Sequence, residues 1–259
     1  MNQLTPILEA TRQEVARRRA ASGSLDAAVA ARDPADLRPF AAALRAPGLS
    51  IIAEHKRRSP SAGPIRLDLE LEDVVGAYER GGATALSVLT EADWFGGSLE
   101  DLRRARSAST LPVLRKDFVL DPWQLDESYA AGADAILLIV AALSPREVAA
   151  LRARAAELGL AALVEVHDGE ELQVAVDAGA TIIGVNNRDL TTLEVDVGRT
   201  FALLETMPAG AIVVAESGFR SPDELSELAG AGVHAVLIGE ALMRSADLEA
   251  AVRELATAA

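Results

Sequence analysis

The chain has 259 residues and no cysteine, and only two of its 25 basic residues are lysine. Without cysteine there can be no disulfide framework and no zinc site built from thiolates. No uninterrupted apolar run approaches the roughly 18 residues of a membrane-spanning helix. The N-terminal stretch is charged and lacks the apolar core of a signal peptide. We therefore expect a cytoplasmic protein that does not bind a membrane.

Aromatic residues make up only 3% of the chain, although half of its residues are apolar. Alanine, valine, leucine and isoleucine must therefore fill a large core. The net charge of −14 argues against a nucleic-acid partner, which would need a basic surface. A small anionic substrate is still compatible with this charge, because a local group of Lys and Arg can capture it inside an acidic shell.

Eight short apolar runs alternate with helical stretches, and their starts are about 20 to 35 residues apart. Continuous apolar runs are typical of parallel strands that helices cover. We therefore predict an α/β protein, a (β/α)8 TIM barrel, as one domain over residues 1–259. An open sheet of nine strands is the structural alternative. The predicted strands are residues 49–53, 85–89, 112–114, 135–140, 161–166, 181–185, 211–215 and 233–238.

Residues 1–45 precede the first predicted strand and have helical character. We predict helices at residues 6–19, 25–32 and 34–44, forming an N-terminal extension that packs on the barrel. Later in the chain, Ser144 with Glu147 and Ser221 with Glu224 match a capping box, each with proline at the first helical position.

Polar residues follow several of the predicted strands, at the end where such barrels carry their active sites. Two carboxylates and two lysines at one barrel mouth are a general acid–base set. Glu216 is interpreted as structural, a residue that holds its loop. The polar residues are Glu54, Lys56 and Ser59 after strand 1, Lys116 after strand 3, Glu165 after strand 5, Asn186 and Arg188 after strand 6, Glu216, Ser217 and Gly218 after strand 7, and Gly239 and Glu240 after strand 8.

Lys56 and Lys116 each stand just after an apolar run in a chain that otherwise uses arginine. Arginine is always charged, whereas the pKa of a lysine can be tuned toward neutral pH. This contrast favours catalytic lysines. Composition bias with chance survival of two lysines is the alternative interpretation.

The last two strand ends also have the glycines of an anion site. Gly218 and Gly239 allow backbone N–H groups to approach a phosphate, and the loops after strands 7 and 8 often bind one. A tight turn without a ligand is the alternative. Because a carboxylate repels phosphate, we expect Glu240 to present its backbone N–H and to turn its side chain away.

Taken together and in order, these segments resemble the indole-3-glycerol phosphate synthase family, and the likeness covers almost the whole chain. The Glu-x-Lys-x-x-Ser-Pro-Ser and Lys-Asp-Phe segments are the most specific. The matching segments are residues 52–61, 86–91, 95–98, 113–118, 133–139, 164–167, 183–190, 215–218 and 238–243.

The resemblance implies a carboxy-lyase of tryptophan biosynthesis that closes an indole ring without cofactor or metal. Lys116 matches the general acid, and Glu165 matches the acid–base carboxylate of dehydration. Lys56 matches a residue that grips anionic groups of the substrate and delivers a proton. Glu54 matches a carboxylate that positions Lys116, and Asn186 matches a polar residue near the substrate hydroxyls. The division of labour between the two lysines stays open.

The resemblance also implies the substrate contacts. Arg188 and Ser59 match positions near the substrate carboxylate, although residues 187–189 also suit a surface turn. Phe95, Phe118 and Leu137 match apolar walls for the aromatic ring, with plain core packing as the alternative. Ser217, with Gly218, Gly239 and Glu240, matches the phosphate site. The expected partner is one phosphorylated small molecule, bound by a monomer.

Two other functions stay open at this point. A sister barrel such as phosphoribosylanthranilate isomerase acts on a related aryl-amino sugar phosphate, but its acid–base pair typically includes a cysteine, which this chain lacks. A non-catalytic barrel would bind a ligand or partner, but it would need neither both lysines nor both glutamates.

Overall fold

The computed structural model describes residues 4–258, and it contains a closed barrel of eight parallel strands. Each strand pairs with the next along the chain, and β8 pairs with β1, with Ser50 opposite Ala235. The predicted barrel is therefore confirmed, and the open sheet is wrong. The strands are β1 Ser50–His55, β2 Ala85–Leu89, β3 Val113–Lys116, β4 Ala135–Ile139, β5 Ala161–Val166, β6 Ile182–Asn186, β7 Ile212–Glu216 and β8 Ala235–Ile238.

Helices follow every strand and cover the outside of the barrel. Both predicted capping boxes are confirmed at the starts of α7 and α10. Within the described part of the chain, no helix is long and apolar enough to cross a bilayer. The helices are α1 Leu4–Ser22, α2 Asp26–Ala31, α3 Phe40–Ala43, α4 Leu71–Gly81, α5 Leu99–Ala108, α6 Pro122–Ala130, α7 Pro145–Glu157, α8 Gly169–Asp177, α9 Gly198–Leu204, α10 Pro222–Gly230, α11 Glu240–Met243 and α12 Leu248–Ala258.

Four strands end later in the chain than the apolar pattern predicted. β1 continues to His55, β3 to Lys116, β6 to Asn186 and β7 to Glu216. The prediction ended each of these strands too early because it stopped at the first polar residue. These polar residues therefore belong to the sheet, which fixes their backbone, and not to loops.

The third predicted helix, residues 34–44, is wrong as one element. It is divided into a 3-10 turn at Pro34–Asp36 and the short helix α3. Pro39, which has no backbone N–H to donate, lies just before α3 and cannot continue a helix from the preceding turn. The extension therefore changes direction there.

The extension contacts both ends of the barrel. Leu4 and Ile7 of α1 line the cavity at the carboxyl ends of the strands. Phe40 and Leu44 are buried in the cluster that fills the barrel interior, and Arg45 donates to the carbonyl of Gly210, just before β7. The amino end of the barrel is thus covered by α3, and α1 borders the open end.

Buried ion pairs fasten this extension to the barrel. Arg18 of α1 donates to Glu127 of α6 at 2.6 Å. Glu127 also accepts from the fully buried Arg115 of β3 at 2.9 Å, and Arg115 donates to Asp117 at 2.8 Å. Asp134 accepts a 2.9 Å hydrogen bond from the backbone N–H of Arg38. Because a buried charge that loses its partner is costly, these contacts fix the path of the extension.

Candidate active site

Strand alternation directs the polar strand ends into the barrel. The residues two positions earlier, Ile52, Leu114, Leu163 and Val214, belong to the cluster that fills the interior. Side chains two residues apart lie on one face of a strand, so Glu54, Lys116, Glu165 and Glu216 point the same way. They meet above the apolar interior, at the floor of a cavity of about 890 Å³.

Lys116 stands between two carboxylates. Its Nζ donates to Oε2 of Glu165 at 3.2 Å and also to Oε2 of Glu216. Burial alone would lower the pKa of Lys116, but the charges of Glu216, Glu165 and Glu54 outweigh it and raise that pKa. The sequence suggested tuning toward neutral pH. The direction is the reverse, and the site holds Lys116 as an ammonium group.

Glu54 pairs with the other lysine. Lys56 Nζ donates to Oε1 of Glu54 at 2.7 Å, and the Ser87 hydroxyl donates to Oε2 at 3.3 Å. Burial would raise the pKa of Glu54, but Lys56 and Lys116 hold it below its usual range. Glu54 therefore acts on Lys116 through its charge alone. Its carboxylate accepts hydrogen bonds from Lys56 and Ser87.

Glu165, at the end of β5, is close to Lys116, Asn186 and His167. Its Oε1 accepts a 3.1 Å hydrogen bond from Nδ2 of Asn186, on the neighbouring strand β6. Burial opposes ionisation, but Lys116 and then His167 hold the pKa of Glu165 below its usual range. At neutral pH this carboxylate is therefore ionised.

Glu216 belongs to this set: it ends β7, lines the cavity and contacts Lys116, so it lies in the sheet and not in a loop, while its structural role stays a prediction. Burial raises its pKa to about 7, an effect that Lys116 opposes and Glu165 reinforces. Its Oε1 is buried without a hydrogen-bond partner in the described structure. A Cβ at Gly184 would collide with that oxygen. Two features of the sequence could have indicated that Glu216 points into the site. It lies two residues after Val214, and the neighbouring strand β6 has a glycine, Gly184, beside it.

An apolar wall stands on one side of the cavity. Phe95 and Phe118 lie with ring centroids 6.5 Å apart at 43°, and Leu137 lies near the cavity floor. Leu4 and Ile7 of α1 add to this wall, and the sequence did not indicate them. The wall offers a slot for a flat apolar group.

Ser59 lies in a small hairpin of Arg58–Ser59 and Gly63–Pro64, at the cavity rim. Its hydroxyl accepts from the backbone N–H of Ala62 at 3.1 Å and lies 3.3 Å from the Ser61 hydroxyl. These contacts order the loop that carries Lys56.

Arg188 lies across the mouth from that loop. Its guanidinium donates to the carbonyl of Leu193 at 3.0 Å, and its backbone N–H donates to Oδ1 of Asn186. Arg188 lines the cavity, as predicted, within a turn that the bridge to Val195 closes.

The glycine loops after β7 and β8 form the opposite end of the cavity. Ser217 and Gly218 have left-handed backbone angles, with φ of 64° and 98°. Gly239 has a different constraint, because a Cβ there would lie 2.5 Å from Oε1 of Glu54. The predicted phosphate glycine therefore also makes room for a site carboxylate.

The Glu240 carboxylate accepts from Nε of Arg244 at 3.0 Å, one helical turn later. Arg244 and Arg220 both line this end of the cavity, and neither was singled out in the sequence. Their guanidinium groups offset the negative charge that Glu240 brings to the predicted anion site.

Among residues 4–258, no three or more His, Asp or Glu side chains are grouped as a metal site would require.

Comparison with known proteins is consistent with this geometry. A family model described as indole-3-glycerol phosphate synthase matches residues 4–255. The chain is 48% identical to the indole-3-glycerol phosphate synthase of Mycobacterium ulcerans, over 98% of this chain and 94% of that protein. It is 49% identical to indole-3-glycerol phosphate synthase 2 of Streptomyces coelicolor, over 94% and 95%. The Rhizorhabdus wittichii protein of the same name is 46% identical, over 100% and 99%.

Solved structures of lower sequence similarity share the barrel. A 3-hexulose-6-phosphate synthase superposes with a TM-score of 0.64 at 16% identity, covering 81% of this chain and 99% of that one. Thiamine phosphate pyrophosphorylase from Pyrococcus furiosus gives 0.62 at 21% identity, covering 81% and 95%. At these identities the likeness concerns the fold alone.

Proposed function

The chain belongs to the indole-3-glycerol phosphate synthase family, and on this basis we propose which of its residues perform the reaction. The enzyme is a carboxy-lyase of tryptophan biosynthesis. It converts 1-(2-carboxyphenylamino)-1-deoxyribulose 5-phosphate to indole-3-glycerol phosphate by ring closure, decarboxylation and dehydration. The isomerase and the non-catalytic barrel are set aside, because the matching relatives are synthases.

One observation carries the assignment of residues. Lys116 lies at the cavity floor between Glu165 and Glu216, with the apolar wall on one side and the glycine loops on the other. A proton donor is therefore positioned between a slot for an aromatic ring and a site for a phosphate. The substrate carries these two groups at opposite ends of a short chain, and its reacting ketone lies between them.

Substrate binding uses the surroundings of this floor. Phe95, Phe118 and Leu137 hold the aromatic ring. Arg188 and Lys56, with Ser59 ordering the loop, hold the ring carboxylate, because a guanidinium fork suits a carboxylate. Backbone N–H groups at Ser217, Gly218, Gly239 and Glu240 hold the phosphate.

Ring closure is the first chemical step. The ring carbon that bears the carboxylate attacks the ketone carbon, and the ketone oxygen takes a proton from Lys116. Carbon dioxide then leaves, and its bonding electrons restore the aromatic ring. Lys116 starts as an ammonium group because the surrounding carboxylates raise its pKa, as a general acid requires.

Dehydration follows at the former ketone carbon. Its hydroxyl leaves as water after receiving a proton, and the neighbouring carbon loses a proton as the double bond forms. Glu165, ionised and held by Asn186, serves as the acid–base group for this step. Glu54 and Lys56 stand beside the leaving hydroxyl, and which lysine protonates it stays open.

The direct test is turnover by the purified full chain. With the carboxyphenylamino sugar phosphate as substrate, we expect indole fluorescence to rise as carbon dioxide is released in equal amount. Release of neither product would overturn the proposal. Carbon dioxide without indole would place the defect after decarboxylation.

We also propose the oligomeric state and the location of the enzyme. Every residue given a role belongs to one chain, so no second copy is required and we expect a monomer. We place the reaction in the cytoplasm, together with the rest of amino-acid biosynthesis. Light scattering at assay concentration checks the oligomeric state, and a dimer would contradict this part.

A further inference from the structure

His167 lies just beyond β5, next to Glu165 of the cavity floor. Its side chain is 11% exposed, and its Nε2 lies 3.6 Å from Oε1 of Glu165. This nitrogen is buried, with no hydrogen-bond partner among residues 4–258. His167 is not among the residues that line the cavity. It is therefore placed to act on Glu165 without touching a substrate.

The other ring nitrogen of His167 is fixed by α8. Nδ1 lies 2.9 Å from Oε2 of Glu171, and the backbone N–H of His167 donates to the same oxygen at 2.8 Å. Glu171 is anchored in turn, because its N–H donates to the helix cap Asp168. The ring is thus held in one orientation, with Nε2 directed toward Glu165.

We propose that His167 is a positioning residue for Glu165, an imidazolium group that bridges Glu171 and Glu165. Its charge, with Nε2 3.6 Å from Oε1, stabilises the carboxylate form of Glu165 that the dehydration step uses. This inference rests on the role proposed for Glu165. It adds a residue on which the resemblance placed no role.

The charges around His167 favour its protonated form. Glu165 of β5 and Glu171 of α8 are the negative groups that act on it, and Arg199 of α9 is an opposing positive group. Burial would lower the pKa of His167, but the Glu171 hydrogen bond and the charge of Glu165 raise it above its ordinary value. In return, His167 is second to Lys116 among the charges that hold the pKa of Glu165 down against the effect of burial.

Imidazole NMR tests the pairing without any turnover. The chain has three histidines, so single substitutions assign every ring signal. We expect His167 to titrate above ordinary histidine, and its pKa to fall in Glu165→Gln and in Glu171→Gln. An ordinary pKa that neither substitution changes would overturn the inference. Because the apoenzyme is observed, a failure of the proposed reaction cannot be mistaken for this result.

Kinetics test the consequence for catalysis. In His167→Asn we expect kcat to fall by about tenfold and KM to stay within about twofold, since His167 does not line the cavity. The acidic limb of the kcat profile should move to higher pH, because a carboxylate that loses a nearby cation is harder to ionise.

His234→Asn is the matched control. His234 accepts a hydrogen bond from the backbone N–H of Val213 and is absent from the cavity lining, so its kinetics should equal wild type. An unchanged kcat in His167→Asn, or a fall in kcat with an unmoved acidic limb, would contradict the positioning role. If His167→Asn does not fold, Glu171→Gln must move the same limb in the same direction.

Discussion

Each ionisable residue at the cavity floor has its protonation state set by its neighbours. Three buried carboxylates share two lysines, so the carboxylates cannot all be equally easy to ionise. Glu54 pairs with Lys56, and Glu165 has Asn186 and His167 in addition to Lys116. Glu216 has Lys116 alone, which explains why its pKa is the one that rises, to about 7.

This raised pKa predicts a dependence of stability on pH. A carboxyl whose pKa is higher when folded favours folding below about pH 4.5, and this contribution is lost as pH rises through about 7. The substitution Glu216→Gln removes this pH-dependent contribution to stability. The free energy of unfolding of wild type relative to Glu216→Gln should therefore fall by about 3 kcal/mol between pH 4 and 8.

Urea unfolding of both proteins across that range measures the difference. Parallel curves would contradict the raised pKa. A wild type that gains stability relative to the variant as pH rises would reverse its sign.

Glu165→Gln tests the assignment of dehydration. The amide keeps the size of the side chain but cannot accept a proton, so ring closure should proceed while loss of water slows by about 10² to 10⁴-fold. Carbon dioxide release should then run ahead of indole formation in a single turnover. If both products appear together at the wild-type rate, Glu165 does not serve the dehydration step.

At the scale of strands and helices, the apolar pattern predicted all eight strands and their closure. It missed where the strands end, because Glu54, Lys116, Asn186 and Glu216 are polar continuations that only the closed sheet pairs. Helix caps were predictable because their hydrogen bonds are local. The partners of Lys116 were not, since Glu165 and Glu216 reach it from β5 and β7.

Gly184 in β6 provides a test of this packing. A Cβ there would collide with Oε1 of Glu216 and lie 3.2 Å from Leu163. Gly184→Ala should therefore displace Glu216, cost about 1 to 3 kcal/mol of stability and reduce kcat. Gly169→Ala in α8 is the matched control, because an added Cβ meets nothing within 4 Å.

Thermal unfolding and turnover of the two alanine variants decide the matter. If Gly184→Ala and Gly169→Ala have equal stability and equal kcat, an added Cβ at Gly184 does not displace Glu216, and the prediction is wrong.

At the scale of the whole molecule, one extension serves both ends of the barrel. Phe40 and Leu44 cover the amino end, while Leu4 and Ile7 complete the apolar wall at the carboxyl end. The sequence predicted an extension over residues 1–45 but not its role in the cavity, because that depends on long-range pairs such as Arg18 with Glu127. The treatment of residues 1–259 as one domain stays a prediction.

The roles of the site residues likewise stay predictions until they are measured. The resemblance supplied the candidate residues. The structure adds their partners, including Glu216, and the directions in which their pKa values move. The claim that depends most on this geometry is that Lys116, charged and at the centre of the floor, protonates the ketone.

Turnover by Lys116→Arg tests that claim most directly. Arginine keeps the positive charge between Glu165 and Glu216 but does not give up a proton in a protein. We expect a folded variant that still binds the substrate, with kcat reduced by about 10² to 10⁴-fold in the indole fluorescence assay. Turnover close to wild type in the folded variant would contradict it.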